Sequence, residues 1–331
     1  MKALIRFLTF SAALAIAWLA IFAYTPIQLK TETVDFDIEA GSRFRVISKQ
    51  LVAQNVLAEP LSFELLARVL GQASDLKAGI YIIKNGTTPI DLLTQITSGT
   101  TGQAGVTFIE GWTFYQMRQA LNQNEAIKHM TMSETDAQIL KEIGANETQA
   151  EGLFFPDTYY FAPNTSDREI LKRAYLTMQG KINKAWTEKS EGLPYQTPYQ
   201  ALIMASIVEK ETGKASERPQ IAGVFINRLK VGMRLQTDPT VIYGLGERFD
   251  GNLRKKDLLT DTAYNTYTRD GLPPTPIAMP GLGAIHAALH PAPTKALYFV
   301  GKGDGSHAFS ASLSEHNNAV VRYQLGGKNA R

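Results

Sequence analysis

The 331-residue sequence predicts an α+β protein in three parts: an N-terminal transmembrane helix, a small α/β module and a larger mixed α+β domain. Three observations predict it. Residues 7–24 carry no charge, a strand–glycine–helix pattern recurs three times between Asp35 and Leu121, and from Ala201 an almost wholly apolar helix runs into a cluster of acids. The boundaries placed on these signals are residues 1–24 for a cytoplasmic N-terminus and membrane anchor, 25–34 for a linker, 35–104 for the module and 105–331 for the larger domain.

Composition narrows the function. Hydrophobic residues make up 44% and charged residues 20%. That balance can bury a core and excludes disorder over most of the chain. Lys plus Arg is 34 against 31 for Asp plus Glu, and a net charge of +3 is too small for a nucleic-acid binder of this size. With no cysteine, thiol nucleophiles, disulfides, iron–sulfur clusters and zinc ribbons are excluded.

The first element is the segment FLTFSAALAIAWLAIFAY, Phe7 to Tyr24. With Ala3, Leu4 and Ile5 it reaches the ~20 residues a bilayer requires. Lys2 and Arg6 precede it, whereas Glu32, Asp35, Asp37 and Glu39 follow, so the positive-inside rule leaves the N-terminus in the cytoplasm and exports the body. Ala13-Leu14-Ala15 and Ala15-Ile16-Ala17 could serve as signal-peptide cleavage sites. The apolar run continues well past Ala17, which favours an uncleaved anchor over residues 3–24, with the remainder exported. No second run of this length follows, so a multi-span transporter is excluded.

The recurring units are DFDIEAGSRFRVISKQL, GIYIIKNGTTPIDLLTQI and GVTFIEGWTFYQMRQAL. Aligned on Gly41, Gly86 and Gly111, apolar residues return ten positions later at Leu51, Ile96 and Leu121, with Ile47, Leu93 and Met117 completing each inward stripe. Ser42, Thr87 or Thr88, and Thr113 put hydroxyls near the helix starts. Unequal spacing excludes a regular solenoid. The plain reading is three ordinary strand–helix connections; the functional one is a small module that holds a polymer. SFELLARVL, Ser62 to Leu70, reads as a further helix.

Asn122 to Gln200 reads as mainly helical, broken by the loop EGLFFPDTYYF between Glu151 and Phe161, with Pro156 and Pro163 at its centre and end. Aromatic clusters are usually core. Rings such as Tyr159 beside Glu151 and Asp157 would also suit a sugar, whose faces pack on aromatics while carboxylates bind its hydroxyls.

Ala201 to Val208, ALIMASIV, is apolar at seven of eight positions and then meets Glu209, Lys210 and Glu211. On a helix Glu211 stands over Ile207 and Val208. Apolar footing disfavours the charged carboxylate and raises its pKa toward that of a general acid. Glu209 points elsewhere, above Ala205 and Ser206, as a supporting group or salt-bridge partner. Ile221, Val224, Phe225 and Leu229 make a second buried face, and Gln236, Thr237 and Asp238 form a polar cluster before Pro239.

Together these segments, ASIVEKET, VFINRLKVGMRLQTDPTVIYGLG, TAYNTY, GLPPTPIAMPG, HPA and LYFV, resemble the MltG (YceG-like) family of membrane-anchored endolytic murein transglycosylases, and the likeness reaches back through EGLFFPDTYYF and the repeated units. The resemblance implies a LysM-like glycan-binding module over 35–104 and a catalytic domain with a goose-lysozyme-like active-site helix. It implies endolytic cleavage of the β-1,4 bond from N-acetylmuramic acid to N-acetylglucosamine in peptidoglycan, leaving 1,6-anhydro-N-acetylmuramic ends. Glu211-Thr212 resembles the Glu-Ser step of goose-lysozyme-like transglycosylases better than Glu209-Lys210 does, so Glu211 takes the catalytic role. One acid suffices, because the muramic C6 hydroxyl, rather than water, attacks C1. Gln236 and Asp238 are candidate supports; Glu151, Asp157, Tyr159, Thr237, Asn265 and Tyr267 are candidate substrate ligands.

Two alternatives remain: a hydrolytic muramidase with Asp238 as second carboxyl, and a non-catalytic glycan-binding scaffold. No metal or other cofactor is expected. His286 and His290 share metal-ligand spacing but lack the glutamate of a metalloprotease motif, and GKGDGSH, Gly301 to His307, reads as a hairpin turn. Expected partners are peptidoglycan strands, the membrane and, near newly made strands, synthases such as penicillin-binding proteins.

Overall fold

The structure, a computed structural model, describes residues 2–39, 41–98, 104–161 and 164–326, with backbone alone at 2–9, 12 and 13. Met1, Ala40, residues 99–103, Pro163 and residues 327–331, which enter the expectations above, lie outside the described residues. The chain forms two compact units, one of residues 1–105 and 160–165, the other of 106–159 and 166–331.

The first unit runs α1 (Lys2–Tyr24), β1 (Thr33–Ile38), α2 (Phe44–Ala53), α3 (Leu61–Val69), β2 (Gly79–Lys84) and α4 (Pro89–Ser98). β1 and β2 pair antiparallel, Thr33 opposite Lys84 and Ile38 opposite Gly79. Strand alternation turns Phe36 and Ile38 inward, where they meet Tyr81, Ile83, Ile47, Leu51, Phe63, Leu93 and Ile96. Each such side chain contributes about 1.5–3 kcal/mol by leaving water.

Helix α1 covers the segment expected to span the membrane, but among the described residues no helix is long and apolar enough to cross one. The last turn of α1 serves the unit: Ala23 and, beyond it, Ile27 are core residues, with Leu19 and Phe22 packed against them. The 25–34 stretch is tied down as well. The Ile27 amide donates to the Thr87 carbonyl at 2.9 Å, and the Leu29 amide to Asn85 Oδ1 at 2.9 Å.

The second unit follows with α5 (Phe114–Asn122), α6 (Asp136–Ile143), α7 (Asp167–Thr187), α8 (Pro198–Glu211), α9 (Arg218–Lys230), α10 (Asp238–Leu245), α11 (Lys255–Leu259), α12 (Leu282–Leu289), an antiparallel hairpin of two strands and α13 (Leu313–Tyr323). Between α4 and α5 lies β3 (Ala104–Thr107), which pairs with β4 (Thr158–Phe161); the later hairpin is β5 (Tyr298–Gly301) and β6 (His307–Ser310).

The three repeated units are each a strand, a turn and a helix. Gly41, Gly86 and Gly111 all sit at φ between +78° and +89°, the left-handed region that glycine enters without steric cost. All six stripe residues, Ile47, Leu51, Leu93, Ile96, Met117 and Leu121, are buried. Thr113 caps α5 in a reciprocal box with Gln116, and Thr88 accepts from the Asp91 amide. Ser42 does not cap α2, which starts one residue later than expected, behind Arg43 and without a side-chain cap.

Helix α8 is the axis of the second unit. Thr197 and Pro198 start it, and Ala201 to Val208 are buried on every side, packed by α7, α9, α10 and α12. Its one interior hydroxyl, Ser206, donates to the Ile203 carbonyl at 2.7 Å and accepts from the Ile277 amide at 3.0 Å.

Candidate active site

The end of α8 delivers Glu211 to a cleft of about 490 Å³ whose lining includes Arg228, Gln236, Asp238, Tyr267, Tyr298, His307 and His316. The residues below it on the helix, Ile207 and Val208, are fully buried. Burial drives the Glu211 pKa above the ordinary 4.5. The Thr237 hydroxyl and the charges of His307 and Arg228 oppose that rise, while Asp238 adds to it.

The hydroxyl of Thr237 donates to Glu211 Oε2 at 2.7 Å. The other oxygen, Oε1, has no hydrogen-bond partner among the described residues and is the one left free to carry a transferable proton. Thr237 is fixed in turn. Its amide donates to Thr266 Oγ1 at 3.1 Å, its carbonyl accepts from Thr240 Oγ1 at 2.8 Å, and the Thr240 and Thr266 hydroxyls lie 2.9 Å apart. Gln236, just before it, holds φ +49°, uncommon for a non-glycine residue, with its amide on the Thr266 carbonyl at 3.1 Å. Asp238 opens α10 and accepts from the Tyr267 hydroxyl at 2.5 Å.

Basic and aromatic side chains complete the lining. Arg228, buried on α9, donates from Nε to the Leu297 carbonyl at 2.6 Å and from Nη1 to that of Leu235 at 2.8 Å, with its guanidinium 5.3 Å from the Tyr298 ring. On the hairpin, His307 meets Glu217 through Nδ1 at 2.8 Å. His316 of α13 stacks on Tyr298 at 5.2 Å.

The sequence candidates divide accordingly. Glu211, Gln236, Thr237, Asp238 and Tyr267 come together here. Glu209 does not line this cleft; it pairs with Arg218 at 3.1 Å and accepts from the Gly281 amide at 2.9 Å. Asn265 is fully buried, its amide donating to the carbonyls of Asp257, Leu258 and Thr260 and its Oδ1 accepting from the Tyr267 amide, so it holds the loop beneath the site. Glu151 is also buried. Burial pushes it up to about 7 against the bonds from the Phe114 amide and the Tyr243 hydroxyl. Tyr159 packs on Phe108 at 5.4 Å and donates to the Phe155 carbonyl, which makes it core rather than an open sugar platform. Asp157 is exposed and accepts from the Thr158 amide.

Sequence reasoning missed Arg228, Glu217, Tyr298, His307 and His316. A faint signal existed for Arg228, a charge set within an apolar stripe. His307 was visible only as the end of a turn. Among the described residues no three His, Asp or Glu side chains gather to hold a metal ion, and the His286 and His290 rings stack at 4.4 Å.

Comparison with known proteins places this geometry in context. The profile of the YceG-like family matches residues 36–322. An endolytic murein transglycosylase of Bacillus subtilis (strain 168) is 35% identical over 318 residues, covering 90% of this chain and 87% of that protein. One from Streptococcus pneumoniae serotype 2 is 28% identical over 329 residues, and this match covers 89% of this chain and 59% of that longer protein. The crystal structure of a YceG-like protein of Listeria monocytogenes superposes with a TM-score of 0.54 at 30% identity, covering 87% of this chain and 98% of that one.

Proposed function

The chain belongs to the YceG-like family, and from that premise we infer that it is an endolytic murein transglycosylase, a lyase acting on the glycan strands of peptidoglycan. We assign cleavage to the β-1,4 bond from N-acetylmuramic acid to N-acetylglucosamine, with Glu211 as the single acid and base. Neutral Glu211 gives its Oε1 proton to the glycosidic oxygen as the C1–O bond breaks. The carboxylate left behind then takes the proton of the muramic C6 hydroxyl as that oxygen closes on C1. One C–O bond breaks and one forms, no water is consumed, and the muramic end is 1,6-anhydro. A pair of carboxyls, as in ordinary glycosidases, is not required.

The observation that carries this reading is an acid on apolar footing, fixed through one oxygen by Thr237 and left open through the other. Asp238, engaged by Tyr267, is a poor candidate for the free water-activating carboxyl of a hydrolase. Tyr267 and Gln236 are assigned to the N-acetyl groups and to the oxocarbenium-like charge. Mass spectrometry of glycan fragments tests the assignment: wild type yields anhydro ends and Glu211→Gln yields none. Reducing ends from wild type would make the enzyme a hydrolase, and unchanged cleavage by the variant would remove Glu211 from the chemistry.

The β1–α2–α3–β2 order, with its two strands paired antiparallel, supports a LysM-like glycan-binding role for the first unit. The uncharged run from Phe7 to Tyr24 supports anchoring at the inner membrane, with the catalytic unit in the periplasm beside synthases of new strands.

A further inference from the structure

The cleft holds a second arrangement that the single-acid scheme leaves unused. His307 opens β6 after a turn in which Gly303 and Gly305 take φ +88° and +78°. Glu217, in the 3-10 turn Ala215–Glu217 ahead of α9, grips it twice: Oε2 accepts from the His307 amide at 3.1 Å and meets Nδ1 at 2.8 Å. The other oxygen, Oε1, pairs with Lys214 Nζ at 3.1 Å. Burial pushes the Glu217 pKa up, but the bonds and charges of His307 and Lys214 outweigh it and hold the carboxyl below its ordinary range. A charged Glu217 accepts, so the Nδ1 proton is fixed and Nε2 is the nitrogen left to the cleft.

We propose that His307, clamped by Glu217, is a positioning residue for the transglycosylase reaction: from the same cleft it stabilises the carboxylate that Glu211 becomes between donating one proton and accepting the next. The inference rests on Glu211 being the acid. Apolar footing makes Glu211 a good proton holder but raises the energy of its ionised state, which the reaction must pass through. An imidazole held in the same cleft by a carboxylate lowers that stage without any proton leaving it. His307 keeps its proton throughout, and the balance of bonds stays as written above. The titratable and charged groups around it are Glu217 and Lys214 beside it, Glu211 on α8, Arg228 on α9, Asp238 on α10, Tyr267, Tyr298 on β5 and His316 on α13. Arg228 brings its charge to the same cleft with Nε and Nη1 held by backbone carbonyls, whereas the group that holds His307 is a carboxylate.

The test uses the full chain, peptidoglycan strands as substrate and three variants. For His307→Gln we expect kcat to fall about 10-fold or more with KM within about 3-fold, because a charge acting on the ionised stage alters the barrier more than binding. The alkaline limb of its pH profile should move to higher pH, since Glu211 loses a neighbour that favoured its charge. In His307→Ala, added imidazole should restore part of kcat, which a merely structural role would not allow. Should either histidine variant melt below assay temperature, Glu217→Gln decides: it keeps an acceptor for Nδ1 but loses the charge, and its kcat should fall with KM held. Wild-type kcat and an unmoved alkaline limb in a folded variant would overturn the proposal. An inactive Glu211→Gln beside a fully active His307→Gln would sink this inference alone, whereas an active Glu211→Gln would sink the acid assignment on which it rests.

Discussion

Thr237 and Glu211 stand 26 residues apart in sequence and 2.7 Å apart at their side-chain oxygens, and that bond fixes which oxygen of the acid faces the cleft. Replacement by valine keeps the shape and removes the donor. A hydroxyl donating to a carboxylate favours its charged form, so its loss raises the proton affinity of Glu211 further. A general acid works while protonated, and activity is lost as pH rises through its pKa. The alkaline limb of Thr237→Val should therefore lie at higher pH than that of wild type. Its kcat should be about 10-fold lower, the scale of one charge-assisted hydrogen bond. A pH–rate profile with both limbs unmoved would show that Thr237 does not act on the acid.

This part of the site was legible in sequence because its signals are local. ALIMASIV reads as buried from its composition alone, Glu211 follows on the same helix, and Thr237 sits in an isolated polar triplet. The Glu217–His307 pair joins residues 90 positions apart, and nothing in either neighbourhood announces the other. Asn265 shows the reverse relation between sequence and structure. A polar residue in a loop suggests a ligand for sugar, but its amide donates to three carbonyls of the preceding stretch of chain. The rings of EGLFFPDTYYF were ambiguous for a similar reason. Phe154 stacks on Phe114 at 4.8 Å, and only the tertiary partner distinguishes such a contact from a sugar platform. The 7–24 run was read for its length, its lack of charge and its charged flanks, and none of these could reveal that its last turn belongs to a core.

Glu151 predicts a pH-dependent stability. Its pKa in the folded chain is pushed from the ordinary 4.5 up to about 7, chiefly by burial. Below pH ~4.5 the carboxyl is neutral in both folded and unfolded chains. Between pH ~4.5 and ~7 the unfolded chain releases the proton and the folded chain does not, so stability falls through that window and levels off above it. Glu151→Gln can still accept from the Phe114 amide and the Tyr243 hydroxyl but has no charge to bury. The loss of stability between pH 5 and pH 8, measured by urea unfolding, should be smaller in the variant by roughly 2–3 kcal/mol. Equal pH dependence in both proteins would mean that Glu151 ionises as freely folded as unfolded.

Glu209 and Glu211 make the last prediction, because two glutamates one turn-step apart should fail in opposite ways. Glu209 has a side chain only 6% exposed, shares its charge with Arg218 and receives the Gly281 amide. Glu209→Gln leaves Arg218, itself 14% exposed, with Glu110 at 3.8 Å as its remaining anion. Breaking one side of a buried pair costs more than the pair contributes, so stability should drop by about 1–3 kcal/mol and Tm by several degrees. Cleavage per folded molecule should stay within about 5-fold of wild type, since no transition-state contact is lost. Glu211→Gln removes a carboxyl that burial disfavours and keeps an oxygen for Thr237. It should match or exceed wild-type Tm at pH 8 while releasing no anhydro ends. Calorimetry and fragment mass spectrometry on both variants give four readings, and the two pairs must cross. If Glu209→Gln were stable and inactive while Glu211→Gln melted early and cut, the acid would be Glu209, and the cleft built around Thr237 would be a structural pocket instead.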